Sequence, residues 1–76
     1  MSDDKSITIK VSGGLTQYVG PGTTVHNAHT VGEAITSLKL PEVGELIILV
    51  NGRLAYWQTE LHDGDVLQLI PAISGG

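Results

Sequence analysis

The stretch Thr30-Val31-Gly32-Glu33-Ala34-Ile35-Thr36-Ser37-Leu38 predicts one amphipathic helix near the middle of this chain. Thr30 can cap the free amides of the first turn, and Glu33 can reach back to complete a reciprocal capping box. The apolar positions follow the i, i+3, i+4, i+7 spacing of a buried helix face: Val31, Ala34, Ile35 and Leu38. Proline disfavours helical geometry in the residue before it, so the helix should end at Leu40-Pro41. A helix this short needs a sheet to pack against.

Two strands are predicted before the helix. Residues 6–12 alternate polar and apolar side chains, which is typical of a half-buried strand. Gly13-Gly14 permits a tight turn, and residues 15–19 should run back as an antiparallel partner. Gly20-Pro21-Gly22 should end that partner, since proline cannot donate to a β-ladder. Residues 23–29 are then expected to form a polar loop that leads into the helix.

Three further elements are predicted after the helix. Residues 46–50 are apolar at every position, which indicates a strand covered on both sides or one with an apolar outer face. Asn51-Gly52 is a strong hairpin signal, and residues 53–55 should return as a short strand. Asp63-Gly64-Asp65 should then turn the chain into a last strand over residues 66–70.

This order of elements predicts a single α+β domain over residues 1–76. A hairpin followed by a crossover helix can place the first and last strands side by side and parallel, and such crossovers are right-handed. The expected architecture is therefore the β-grasp, a mixed four- to five-stranded sheet with one main helix on one face. Residues from about 71 to 76 should form a flexible tail.

Composition excludes several classes of function. The chain has 76 residues, no cysteine and no phenylalanine, so the core must be aliphatic and no thiol can act as a nucleophile or metal ligand. Its net charge is −4, and its four basic residues form no run, which argues against nucleic-acid binding. No stretch approaches the ~20 apolar residues that span a bilayer. The polar N-terminal residues do not resemble a secretory signal, so a cytoplasmic protein is expected.

Side-chain catalysis and metal binding are not expected. His26 and His29 are close in sequence and His62 is distant, whereas a zinc site usually needs three or four ligands. Asp63 and Asp65 flank a glycine as turn formers. No Ser, His and Asp set has recognisable nucleophile spacing. The chain is therefore predicted not to be an enzyme in its own right.

The chemistry is predicted at the end of the chain, Ser74-Gly75-Gly76. Two terminal residues without β-carbons can enter a narrow channel and bring a main-chain carboxylate close to a nucleotide. The reactive group would then be the α-carboxylate of Gly76, and no side chain would be needed. The alternative is a frayed and inert terminus.

Three motifs in their order carry a resemblance to a known family: Val50-Asn51-Gly52, Leu61-His62-Asp63-Gly64-Asp65-Val66 and Ile70-Pro71-Ala72-Ile73-Ser74-Gly75-Gly76. With the N-terminal strand, the likeness covers nearly the whole chain. The spacing from the Asp-Gly-Asp turn to the Gly-Gly end is its specific part. The chain resembles the ubiquitin-like sulfur-carrier family, which includes the small subunit of molybdopterin synthase and the thiamine-pathway sulfur carrier.

The resemblance implies a cycle of activation at the C terminus. A ubiquitin-activating-type enzyme would use ATP to adenylate Gly76, and a persulfide donor would then displace AMP and leave a thiocarboxylate. Ser74 and Gly75 would let the tail thread into that enzyme. No cofactor would be bound permanently. The implied partners are the activating enzyme, a sulfur-donor protein and an acceptor such as the molybdopterin synthase large subunit, with no nucleic acid and no membrane.

The pathway stays open at this point. Pro71, just after the last strand, favours the molybdopterin synthase small subunit over the thiamine carrier. Carriers for thiamine, tRNA thiolation or cysteine synthesis remain alternatives. A covalent modifier joined to target lysines would share the activation step, and a plain binding domain would have an inert tail.

Docking to these partners would need a surface, and the outer face of the sheet is predicted to supply it. The predicted contacts are Leu67, Leu69, Ile48, Ile73 and Trp57. The adjacent Tyr56 is a further candidate, since aromatic residues are enriched in binding hot spots. Successive strand residues point to opposite faces, so the sequence leaves open whether residues 66, 68 and 70 or residues 67 and 69 are buried.

Overall fold

The computed structural model describes residues 5–20, 22–40 and 45–72. Its elements in chain order are β1 (Ser6–Val11), a 3-10 helix (Gly13–Gln17), β2 (Thr23–His26), α1 (Val31–Leu38), β3 (Leu46–Val50), β4 (Arg53–Leu54) and β5 (Val66–Pro71). The strands form one mixed sheet in the order β2-β1-β5-β3-β4. The predicted β-grasp fold is confirmed. Within the described ranges, no helix is long and apolar enough to cross a membrane.

The centre of the sheet is the predicted parallel pair of first and last strands. β1 runs beside β5 in register from Thr8 opposite Val66 to Val11 opposite Leu69. β3 pairs with β5 on the other side and runs antiparallel to it. The inward residues of α1 belong to the same buried cluster as those of β1 and β5, so α1 packs on one face of the sheet.

Helix α1 begins as its sequence predicts, with one difference in the cap, and it ends two residues before the predicted Leu40-Pro41. The Thr30 hydroxyl accepts a hydrogen bond from the Glu33 amide at 3.2 Å. The Glu33 carboxylate accepts from the amide of His29 at 2.9 Å, one residue before the amide expected in a capping box. Lys39 takes a left-handed conformation at the C-cap, with φ of 53°, and ends the helix before Pro41.

The predicted first hairpin is wrong in its second half. Residues 15–19 do not form a strand: Gly13 has φ of +61° and starts the 3-10 helix, whose Leu15 side chain is buried in the core. The antiparallel partner of β1 is β2, which lies where a polar loop was expected. An edge strand of four residues needs few inward apolar side chains, and Val25 opposite Ile7 supplies one here. The alternation in residues 23–26 was therefore too weak to predict a strand.

The second hairpin is confirmed. Asn51 and Gly52 both have positive φ, of 53° and 84°, which is the type I′ geometry that suits the twist of paired strands. β4 is one residue shorter than predicted. The amide of Ala55 nevertheless donates to the carbonyl of Ile48 at 2.8 Å and extends the pairing.

The buried face of the last strand contradicts part of the predicted docking surface. Leu67 and Leu69 are fully buried and Ile48 is 4% exposed. Leu69 lies directly opposite Ile48 on β3, and Leu67 lies opposite Ile9 on β1, so all of them point toward α1. The prediction that Leu67, Leu69 and Ile48 contact a partner is wrong, because they form the core between sheet and helix.

The start of the predicted tail also changes. β5 continues through Pro71, which pairs with Leu46. The amide of Ala72 donates to the carbonyl of Glu45 at 3.0 Å, so residues 71 and 72 belong to the sheet. The predictions that fall on Ile73, Ser74, Gly75 and Gly76 lie outside the described residues.

Candidate partner surface and C-terminal site

The face of the sheet opposite α1 carries an apolar strip. Its members come from β3, β4 and β5, and we name them the open-face strip: Ile47, Leu49, Leu54, Val66 and Ile70. Ile47 lies opposite Ile70, and Leu49 lies opposite Leu54, so these four residues are continuous across three strands, while the polar Gln68 separates Ile70 from Val66 on β5. Ile47 is 41% exposed and Leu54 is 63% exposed. Contiguous apolar surface on a small protein commonly marks an interaction site.

The open-face strip lies next to the C-terminal end of the described chain. Ile70 belongs to the strip, and the amide of Ala72, only two residues further on, donates to the Glu45 carbonyl at the end of the central strand β5. A partner that receives residues 73–76 can therefore contact the strip at the same time. The sequence already placed residues 66 and 70 on one face, but it did not say that this face is the open one.

The motif residues near the start of β5 have a structural role. The side-chain amide of Asn51 donates to Asp65 Oδ1 at 2.9 Å, and its oxygen accepts from the Val66 amide at 2.9 Å. Asp65 Oδ2 accepts from the His62 amide at 2.8 Å. Asp63 Oδ1 accepts from the Ser6 amide at 2.8 Å. These hydrogen bonds connect the Asn51-Gly52 hairpin to the Asp63-Gly64-Asp65 turn beside the central strands.

The pKa of Asp65 reflects this network. Its side chain is 14% exposed, and burial alone would raise the pKa of the carboxyl above the ordinary value of 3.8. The hydrogen bonds from the His62 amide and the Asn51 side chain, together with positive charge on His62 and Lys5, outweigh burial and lower the pKa. The charged form of Asp65 is therefore favoured in the folded protein.

Asp65→Asn is expected to destabilise the fold in a pH-dependent way. The folded pKa is lowered, so the carboxylate stabilises the protein fully above the unfolded pKa near 3.8, and this contribution is lost as pH falls through the folded pKa. At neutral pH the free energy of unfolding should drop by about 1–3 kcal/mol, the value of a hydrogen-bonded charged group. Urea unfolding between neutral and strongly acidic pH measures the difference.

The matched control for this experiment is Glu60→Gln, which changes the net charge equally outside the network. The difference in free energy of unfolding between wild type and Asp65→Asn should become smaller at acidic pH. At neutral pH, Glu60→Gln should have nearly the wild-type free energy of unfolding. If the difference in free energy of unfolding between wild type and Asp65→Asn were the same at neutral and acidic pH, Asp65 would not stabilise the turn through its charge.

The remaining predicted contact residues in the described ranges are the adjacent Tyr56 and Trp57. Trp57 is 54% exposed and Tyr56 is 63% exposed, and both lie in the loop after β4. A role of Trp57 in partner binding stays a prediction. Across residues 5–20, 22–40 and 45–72, no three His, Asp or Glu side chains are grouped so that they could hold a metal ion.

A five-stranded β-grasp sheet with one helix on one face and an apolar opposite face defines a ubiquitin-like protein. The chain belongs to the ThiS family, whose model matches residues 9–76. It is thus a member of the ubiquitin-like sulfur carriers and modifiers. No curated protein matches its sequence significantly.

Solved structures agree with this assignment. The chain is similar to SAMP1 from Haloferax volcanii, with 28% identity, a TM-score of 0.69, and coverage of 93% of this chain and 99% of that one. It is similar to a chain in the complex of subunits 1 and 2 of molybdopterin-converting factor from Helicobacter pylori, with 25% identity, a TM-score of 0.66 and coverage of 93% and 99%. The Haloferax volcanii HVO 2177 protein shares the fold, with 21% identity, a TM-score of 0.77 and coverage of 100% and 91%.

Proposed function

We propose that this protein carries sulfur as a thiocarboxylate on Gly76. The Gly76 carboxylate attacks the α-phosphorus of ATP on a ubiquitin-activating-type enzyme, which releases pyrophosphate and forms an acyl-adenylate. The terminal sulfur of a protein persulfide attacks the acyl carbon and displaces AMP. A thiol then cleaves the resulting acyl disulfide, and the thiocarboxylate is released. The partner supplies the catalytic groups, and this chain supplies position and recognition.

The family match that reaches Gly76 carries this proposal. The anchored end of β5 supports it, because residues 73–76 can extend at most about 14 Å beyond Ala72. An activating enzyme must therefore hold the end of the central strand β5 close to its nucleotide. The open-face strip provides apolar surface near that end, through Ile70 and Ile47. With no cysteine in the chain, the thiocarboxylate would also be its one reactive sulfur nucleophile.

Two observations favour an acceptor of the sulfur that belongs to molybdopterin biosynthesis. The Helicobacter pylori protein that this chain resembles is described in a complex of subunits 1 and 2 of molybdopterin-converting factor. The sequence motif around Pro71, which favours the molybdopterin synthase small subunit, also supports this acceptor, although Pro71 is the last residue of β5 and not the residue after it. We therefore propose a molybdopterin synthase large subunit as the acceptor, with thiamine synthesis, tRNA thiolation and cysteine synthesis as the alternative uses of the same sulfur.

Intact-mass measurement tests the carrier function. The protein is incubated with its cognate activating enzyme, ATP and a persulfide donor. Its mass should rise by the difference between a sulfur and an oxygen atom, and omission of ATP should prevent the rise. Conjugates of higher mass on lysines of other proteins would indicate a covalent modifier instead. An unchanged mass, with an activating enzyme that modifies another carrier in the same assay, would contradict the proposal.

Ile47→Asp is expected to weaken binding to the acceptor subunit by roughly 10- to 100-fold. The change places a charge in the middle of the open-face strip, where an apolar anchor would be desolvated on binding. Calorimetric titration of the purified acceptor with each variant measures the Kd. The matched control is Thr24→Asp, which adds the same charge on the open face at the distant β2 edge. Equal weakening by both variants would assign the effect to charge and not to the strip.

A further inference from the structure

A second surface feature lies on the helix side of the molecule, away from the open-face strip. It is a groove of about 530 Å³ between the loop after β4 and the exposed side of α1. The lining residues are Thr30, Gly32, Glu33, Thr36, Ser37 and Trp57. We name it the Trp57 groove. The function proposed above makes no use of it.

Trp57 forms one wall of the groove, and backbone hydrogen bonds connect its loop to the first turn of α1. The Trp57 carbonyl accepts from the Gly32 amide at 3.0 Å, and the Thr59 carbonyl accepts from the Val31 amide at 3.0 Å. A β-carbon on Gly32 would lie 3.0 Å from Trp57 Cε3, so glycine is what allows this close approach. Trp57 is nevertheless 54% exposed. The protein thus presents an aromatic side chain to solvent from an anchored backbone.

The charge of the groove is negative. Among the described residues that line it, Glu33 is the one charged residue, and one of its carboxylate oxygens accepts from the His29 amide. In the described part of the chain, no cation lies within ion-pair distance of Glu33. The Ser37 hydroxyl donates to the Ala34 carbonyl at 2.9 Å and so keeps its lone pairs available as acceptors. The groove therefore offers an indole, a carboxylate and hydroxyl acceptors, with no basic group among the described residues that line it.

We propose that the Trp57 groove binds an arginine side chain of a partner protein. A guanidinium group is planar, stacks on aromatic faces and donates to carboxylates, so it matches the indole and Glu33 together. The hydroxyls of Thr36 and Ser37 can accept its remaining N–H groups. The net charge of −4 also favours a basic partner surface. This contact is separate from the open-face strip, and it would bind a partner from the opposite side of the domain.

NMR titration of the ¹⁵N-labelled full chain tests the proposal. The probe is a blocked Gly-Arg-Gly peptide, and its control is the citrulline peptide, which has nearly the same shape without the charge. The arginine peptide should shift the Trp57 indole and Gly32 amide signals in a saturable way, and added salt should weaken the effect. Citrulline should bind roughly 3- to 10-fold more weakly.

Two substitutions locate the site. Glu33→Gln should weaken arginine binding by roughly 2- to 5-fold while its amide oxygen keeps the hydrogen bond from His29. Glu60→Gln removes the same charge outside the groove and should leave the affinity unchanged. Equal binding of the arginine and citrulline peptides, equal effects of the two substitutions, or shifts confined to other parts of the chain would overturn the proposal.

Discussion

Gly75→Val is expected to slow the formation of the Gly76 thiocarboxylate by on the order of 10²-fold or more. A main chain without a β-carbon can pass a constriction that a branched side chain cannot, and small displacements of a reacting group are costly in rate. Residue 75 lies beyond Ala72, the last residue described with a sheet hydrogen bond, so the domain itself should be unaffected. The initial rate of the mass increase with ATP, activating enzyme and persulfide donor measures the effect.

The control for this change is Gly14→Val. A β-carbon on Gly14 would meet no atom within 4 Å, and its φ is not positive, so the same substitution there should fold and be activated at a rate close to wild type. Both variants should unfold at the wild-type temperature. Activation of Gly75→Val at the wild-type rate would refute the steric argument, and slow activation of both variants would point to a general effect of valine on the domain.

Much of the fold could be predicted because its signals are local. The Thr30 cap, the helical spacing of apolar residues and the Asn51-Gly52 turn each specify backbone geometry within a few residues. β2 could not be predicted in this way. Its pairing with β1 depends on the chain first folding back through the 3-10 helix, where Leu15 enters the core. A contact between residues far apart in sequence leaves no short-range pattern.

The docking surface was predicted on the outer face of the sheet, but Leu67, Leu69 and Ile48, which were named for it, lie on the buried face. Residues 46–50 are all apolar, so their sequence does not show which side chains face the core. β5 also has apolar residues on both faces, with Leu67 and Leu69 on one and Val66 and Ile70 on the other. Only the position of α1 decides which side is the core. The sheet pairing of Ile47 with Ile70 and of Leu49 with Leu54 then identifies the open-face strip.

Leu67→Ala is expected to lower the free energy of unfolding by about 2–5 kcal/mol, the cost of removing a fully buried leucine side chain. A domain of this length has a total stability of roughly 4–11 kcal/mol, so the loss is a large share of it. Thermal and urea unfolding followed by circular dichroism measure the change. The melting temperature should fall by at least about 10 °C.

The control is Ile47→Ala, which shortens an aliphatic side chain of similar size on the open face, where Ile47 is 41% exposed. Its unfolding free energy should change by less than about 1 kcal/mol, because most surface truncations cost little. The two variants should therefore separate stability from recognition: Leu67→Ala should lose stability, and Ile47→Ala should lose affinity for the acceptor subunit at nearly wild-type stability. The reverse pattern would mean that α1 covers the other face of the sheet, and the open-face strip would then be the core.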